Sequence, residues 1–355
     1  MKRLACALAL LFCALAQAAI AQTSLPMDKG LPVLVKVAIG YVDVVSFDEN
    51  NSTFQGSVDV RLRWEDLRLR LPLVQAKDPP RVFRGEEAAA EIEKIWVPDG
   101  DIANQIGDAT AADFGLRIFP DGRVELLRRV TAEFATDYDV SQFPFGTQKL
   151  QVRFAMHRQT ANQVVLEYDQ DDLDFSRPAA TAGLDGWNLR FVNLRVEPLP
   201  GWYGASHATV TASLEITREP GPIVAGIFIP LLASLLIPLL AIWLNRLEDG
   251  FFQIETYELV NIIIGGLFAV IALNFTVNSV YQVLERGDNP VNRLFALNFV
   301  TLAVSLAINI LLVRFRFVEG AFGRYVQEQL YLFLVWAIPV LVLTTAVSVI
   351  LVALA

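Results

Sequence analysis

Histidine binds transition metals readily and changes charge near neutral pH. It occurs only at His157 and His207. With no third ligand in view, two unrelated polar side chains on a sandwich surface are the other reading. Asp169, Asp171, Asp172 and Asp174 form a denser set of hard oxygen ligands. Such a run suits Ca2+, but the glycine-bearing spacing of an EF-hand is missing. A solvated acidic loop is the other reading. No G-x-S-x-G, H-E-x-x-H or Gly-rich phosphate loop occurs. The chain therefore reads as no enzyme and calls for no cofactor.

A different kind of chemistry lies near the C-terminal end. On a helix, Glu258, Asn261, Gly265, Ala269, Ala272, Thr276 and Ser279 share one stripe, and every one is small or polar. Ile263, Leu267, Val270 and Ile271 hold the opposite face. Such a stripe can line water, and the flanking Phe268 and Phe275 supply an apolar constriction. Gly265-xxx-Ala269 is also a small-xxx-small pattern for close helix packing. Because the other side of one helix would face lipid, a pore needs several copies around an axis. Glu255 and Glu258 would place carboxylates at its mouth, which attract cations. The alternative is that charges there simply mark the end of a span.

The elements that must position these residues follow from composition. The chain has 355 residues, 54% hydrophobic and 19% charged, with net charge −9. An acidic balance argues against a nucleic-acid partner, and the low charged fraction points to a membrane. Residues 1–21 read as a signal peptide: Lys2 and Arg3, an apolar Leu4–Ala16 stretch, and a small-residue site at Ala19-Ile20-Ala21. Both cysteines, Cys6 and Cys13, lie inside it. Four uncharged segments, at about 221–244, 259–284, 294–313 and 330–355, are each long enough to cross a bilayer. With the N-terminal part exported, Asn245–Glu258 and Arg314–Gln329 face the cytoplasm and Glu285–Arg293 faces outward. Arg246, Arg314, Arg316 and Arg324 inside, against Arg286 and Arg293 outside, agree with that orientation. Residues 22–220 alternate apolar with polar, as in Val58 to Trp64 and Leu150 to Phe154. That period of two predicts a β-sandwich with no helical stretch.

Specific motifs overlay this plan. They are Trp64-Glu65-Asp66-Leu67-Arg68-Leu69, Trp96-Val97-Pro98-Asp99, Phe119-Pro120-Asp121-Gly122-Arg123-Val124, Phe143-Pro144-Phe145-Gly146-Thr147-Gln148, and Arg218 followed by Pro230. In this order and before four spans, they resemble the prokaryotic branch of the pentameric ligand-gated ion channels. The resemblance implies an extracellular immunoglobulin-like sandwich followed by a four-helix transmembrane bundle, in a homopentamer around a central pore. It implies a ligand-gated, cation-selective channel in the bacterial inner membrane. A small-molecule, proton or divalent-ion agonist, monovalent permeating cations and membrane lipid would be its partners. Thr136 and Leu150 stand where animal members carry a cysteine pair, and Gly146 replaces the signature-loop aspartate.

The resemblance places the agonist site between subunits. It falls on Asp59, on His157 with Arg158 beside it, and on Trp202, Tyr203 and His207. An aromatic box for an ammonium is degraded at these positions. Coupling to the pore would use Asp48 and Glu49, the Phe143-Pro144-Phe145 loop, Arg218 and the loop around Pro290, with Arg218 pairing with Asp48 or Glu49. The rival reading is a non-conducting sensor whose helices anchor a ligand-binding sandwich. It accounts for the two-part plan but not for the small and polar stripe.

Overall fold

The computed structural model describes residues 23–26, 30–72, 78–245, 247, 248, 251, 252 and 256–354. The expected signal peptide, Glu255 and the Trp202 side chain lie outside the described residues.

Alternating residues become strands because each buries one face and wets the other. Strand β1 (Val33–Asp48) turns back into β2 (Thr53–Glu65), and Trp64 faces Val124 of β6 (Arg123–Ala135) while Leu62 faces Leu126. With β3 (Arg81–Arg84), β5 (Gln105–Ile118) and β8 (Val164–Glu167), they form a sheet of order β3-β5-β6-β2-β1-β8. The second sheet has order β4-β7-β10-β9, from β4 (Gly100–Ile102), β7 (Thr147–Met156), β9 (Trp187–Pro200) and β10 (Ser206–Arg218). Val35, Val37, Phe54, Phe134, Leu150, Val152 and Leu214 fill the space between the sheets. Trp64 and Trp96 meet edge-to-face at 5.9 Å in this core. The Tyr41 hydroxyl lies 2.7 Å from the Leu150 carbonyl and 3.0 Å from that of Ala212, and burial raises its phenol.

The sandwich is not free of helix, contrary to the alternation argument. Helix α1 (Glu86–Ile92) starts at Gly85, whose φ of 54° favours glycine. Helix α2 (Gln170–Phe175) is built from the acidic run itself. Asp169 and Asp172 form a reciprocal capping box, so residues read as a loop instead nucleate a turn of helix. Runs this short carry too few apolar repeats to show a helical period.

Among the described residues, the C-terminal part holds four helices long and apolar enough to cross a membrane: α3 (Gly221–Leu244), α4 (Tyr257–Val280), α5 (Pro290–Arg314) and, after the short α6 (Phe317–Phe322), α7 (Arg324–Leu354). Helix α5 begins before the uncharged segment does. Asn289 caps it by accepting from the Asn292 N–H at 2.9 Å, and Pro290 takes the first position. Leu235, Leu259, Ile263, Val270, Leu302 and Val342 pack the bundle core. Asn298 of α5 donates to the Ser234 hydroxyl of α3 at 2.6 Å, a polar tie between helices.

The chain folds as two compact units that do not divide at one point in the sequence. Glu49–Asn51 and Tyr138–Thr147 belong to the helical unit together with the chain from Thr217 onward.

Candidate functional site

The sandwich gathers part of the expected agonist site at one end. The His157 N–H donates to the Asp99 carbonyl at 3.1 Å, and the Arg158 Nε lies 2.9 Å from the Asp99 carboxylate. His207 Nδ1 lies 2.9 Å from the Gln159 carbonyl. A carbonyl only accepts, so Nδ1 carries the proton and Nε2 is left for another group. The ring packs on Gly201, where an added Cβ would fall 2.5 Å from Nε2. Tyr203, at the tip of the β9–β10 hairpin, is fully exposed with φ 55°. Asp59 is elsewhere, on the other sheet, in a two-pronged pair with Arg129 of β6 at 2.7 Å. One protomer therefore presents two separate sets of these residues.

The four aspartates also separate. Asp169, Asp171 and Asp172 bring ligand atoms within 4.8 Å of one another, while Asp174 pairs with Arg177 at 2.6 Å. Protein cations already answer the three. Arg61 and Arg63 reach Asp172 at 2.9 and 2.7 Å, Arg63 reaches Asp171 at 2.9 Å, and Lys36 reaches Asp169 at 2.9 Å. The arrangement is an ion-pair network and not a cage of free carboxylates. Burial alone would raise the Asp169 carboxyl, but the Lys36 hydrogen bond, the Asp172 N–H and the Arg63 charge hold it below its usual range.

Helix α4 packs through Leu259, Ile263, Gly266, Val270 and Val277, which are buried. A Cβ at Gly266 would sit 3.1 Å from Ile237 and 3.2 Å from Leu302, so glycine lets α4 lie close to α3 and α5. On the side away from this line, Glu258, Asn261, Gly265, Phe268, Ala269, Ala272, Phe275, Thr276 and Ser279 are all exposed in the protomer. Directly opposite the packed line run Asn261, Gly265, Phe268, Ala272, Phe275 and Ser279. The two phenylalanines thus stand on that line and do not merely flank it. Of the residues assigned to the face opposite the stripe, Ile263 and Val270 are buried while Leu267 and Ile271 are exposed in the protomer, because the packed arc is narrower than the apolar one. Thr276 donates to the Ala272 carbonyl at 2.9 Å and Ser279 to that of Thr276 at 2.8 Å. Their hydroxyl protons turn inward and leave oxygen lone pairs outward.

The third group, Asp48 apart, lies in the helical unit. Arg218 forms an ion pair with Glu49, both side chains largely buried. Asp48 ends β1 opposite Thr53. The Tyr138 hydroxyl donates to Glu49 at 2.8 Å and accepts from Arg218 at 3.4 Å. Burial opposes the Arg218 charge, but Glu49 outweighs it and raises the guanidinium above its ordinary value. Burial and then the Glu49 charge raise the Tyr138 phenol. The guanidinium lies 5.5 Å from the centre of the buried Phe143 ring, which lies 5.5 Å from that of Tyr281 just beyond α4. Phe145 contacts Phe228 of α3 at 5.8 Å, and the Phe143–Pro144 peptide is cis. Asn50 accepts from the Val283 N–H at 3.0 Å and, through its carbonyl, from Arg286. Pro290 is buried at the start of α5. Sequence reasoning missed Asn50 and Tyr138. A lone tyrosine among Asp137, Asp139 and Ser141 carries no motif, although it sits only five residues before Phe143.

A two-sheet sandwich followed in the chain by four membrane-length apolar helices defines the class: a multi-pass membrane protein with an extracellular domain. Residues 17–220 match the model of the neurotransmitter-gated ion-channel ligand binding domain. The chain belongs to that family, the pentameric ligand-gated ion channels. It is similar to a proton-gated ion channel of Gloeobacter violaceus, 23% identical over 249 residues that cover 70% of this chain and 64% of the relative. It is 30% identical to the gamma-aminobutyric acid receptor subunit rho-2 of Bos taurus over 146 residues, covering 40% of this chain and 30% of that subunit. The human glycine receptor subunit beta is 24% identical over 230 residues, covering 62% of this chain and 44% of that subunit. The matches thus span less than two thirds of each relative's own length.

Proposed function

We propose that the protein is a ligand-gated ion channel: a homopentamer whose pore is lined by α4 and favours monovalent cations. Its domains would be 1–21 signal peptide, 22–220 ligand-binding sandwich and 221–355 transmembrane. It would sit in a bacterial inner membrane with the sandwich outside. The carrying observation is the exposed side of α4 opposite its packed line, where small and polar residues run with Phe268 and Phe275 among them. In a monomer that side would face lipid, where polar groups are costly. In a ring it faces water. Glu258, in the first turn of α4, suits the helix dipole and would put a carboxylate from each subunit at the inner mouth. Asp59 with Arg129 on one sheet, and His157, Arg158 and His207 on the other, suit two halves of a site completed by neighbouring copies. A small molecule, a proton or a divalent ion is the class of agonist to try.

The test is single cysteines along α4, since both native cysteines lie in residues 1–21. A water-soluble thiol reagent should react quickly at Asn261, Gly265, Phe268, Ala272 and Ser279 and slowly at Ile263 and Val270. Uniform reactivity, or a monomer by native mass measurement, would reject the pore and leave a non-conducting sensor. In asymmetric salt, Glu258→Gln should lower cation conductance and Glu258→Lys should move the reversal potential towards anions. An unmoved potential in both rejects the role of Glu258.

A further inference from the structure

The loop from Val140 to Gln148 contains no carboxylate, and just before it Tyr138 offers Arg218 a neutral hydroxyl. We propose that the Tyr138 hydroxyl is the third member of the Glu49–Arg218 pair, a positioning residue that holds the guanidinium over Phe143 and thereby against the Tyr281 end of the pore helix. The functional consequence rests on the channel reading above; the geometry of the group does not.

The phenol is suited to this by having one donor and an acceptor. It gives its proton to Glu49 at 2.8 Å and takes an N–H from Arg218 at 3.4 Å. The three polar groups close on one another, so the carboxylate cannot turn without losing the phenol, nor the guanidinium without losing both. Burial and the Glu49 charge keep the phenol protonated well beyond neutral pH, so the donor is not lost when the surroundings change pH. A carboxylate in its place would add a second negative charge beside one arginine. The phenol adds a ligand and no charge. Glu49 is followed by Asn50, which is bonded to Val283 and Arg286 beyond α4. Fixing Glu49 therefore also fixes the turn that carries Asn50. The hydroxyl can be tested apart from the ring, because Tyr138→Phe keeps the packing and removes only the bridge.

The first readout needs no agonist. Protein labelled with [13Cζ]tyrosine in lipid nanodiscs is titrated by solid-state NMR, as wild type, Tyr138→Phe, Glu49→Gln and the double variant. The resonance lost in Tyr138→Phe should keep its protonated shift at about pH 11 in the wild type, where a free phenol of pKa about 10 is mostly ionised. It should move to lower pH in Glu49→Gln. The thermal midpoint should fall in each single variant, and no further in the double variant than in Glu49→Gln, because contacting groups are not additive. A Tyr138 resonance that titrates near pH 10 in the wild type, or is unmoved by Glu49→Gln, overturns the proposal, as do additive midpoints. Open probability in planar bilayers without added ligand then reads the positioning role. Tyr138→Phe should shift it by roughly tenfold, the size of one hydrogen bond to a charged group, and the double variant should match Glu49→Gln. An unchanged open probability in Tyr138→Phe overturns that role. The resonance needs no current, so a wild type that never conducts tells against the channel reading and not against the group.

Discussion

Two of the places where arginine meets a buried carboxylate are built differently. In the sandwich, Arg61, Arg63 and Lys36 share Asp169, Asp171 and Asp172, and Lys36 also reaches Glu167, so each charge has more than one partner. Arg61 is further held over the Phe175 ring at 4.3 Å. In the helical unit, Arg218 meets the Glu49 carboxylate and the Tyr138 phenol. A redundant network can lose a contact and keep its charges compensated. A single pair cannot. The first arrangement suits a fixed joint between α2 and the sheet. The second suits a contact that is either made or broken, which is what a two-state coupling element requires.

The comparison makes its largest claim at Arg218. Arg218→Ala leaves Glu49, only 16% exposed, without its cation. The expected loss is about 3 kcal/mol, the lower end for an opened buried pair because some water reaches it. The thermal midpoint of the purified protein measures this, and exchanging the two charges in a double variant should restore part of it. A loss under about 1 kcal/mol would place the pair among surface ion pairs and remove the contrast. Within the network the expected loss is smaller and graded by burial. Asp172 is fully buried and Asp171 is 65% exposed. Asp172→Asn should cost about 2 kcal/mol, since Asp171 still faces both arginines and Asp169 still faces Arg63, and Asp171→Asn under about 1 kcal/mol. Equal losses at the two positions would mean that redundancy, and not burial, sets the scale.

How much of this was written in the sequence differs between the regions. The strands were legible because Val58, Val60, Leu62 and Trp64 repeat every second residue. The spans were legible because charges avoid them. The polar side of α4 was legible too, but not its centre: an ideal wheel cannot say that Gly266 faces α3 and α5 while Gly265 faces open space. The acidic run was visible and its partners were not. Arg61 and Arg63, two apart on β2, share a face, and that spacing was the available sign that cations would meet Asp169–Asp172. For Tyr138 and Asn50 there was no such sign. Their roles come from three separate chain segments brought together in one unit, and no local period records that.

The network also predicts an acid limit. The Asp169 carboxyl is held below its usual range in the folded protein. A lowered folded value means that the stabilisation is complete above the unfolded value, about 3.9, and is lost as pH falls through and below it. The wild-type midpoint should therefore fall steeply below about pH 4, and Asp169→Asn should be less stable at neutral pH but flatter across that window. Lys36 works in the other direction. Its folded value is raised above 10.5 through Asp169, so its contribution is complete below that pH and lost only at higher pH. Equal acid slopes for wild type and Asp169→Asn would show that other carboxylates set the limit.

The smallest effect is expected where a pair looks best on geometry alone. Asp59 and Arg129 sit directly opposite across β2 and β6 and meet through two hydrogen bonds of 2.7 Å each. The arginine is 55% exposed, however, so water competes for every donor. Asp59→Asn should cost no more than about 1 kcal/mol, less than Asp172→Asn despite the better-formed pair. Salt separates the two cases further. At about 1 M the screening length falls to about 3 Å, so the Asp59→Asn loss should shrink towards zero while the Asp172→Asn loss persists. Thermal midpoints of both variants in low and high salt measure this. If Asp59→Asn costs as much as Asp172→Asn and salt does not reduce it, then pair geometry, and not burial, decides the strength of these contacts. The distinction between the fixed network and the single Arg218 pair would then need to rest on the number of partners alone.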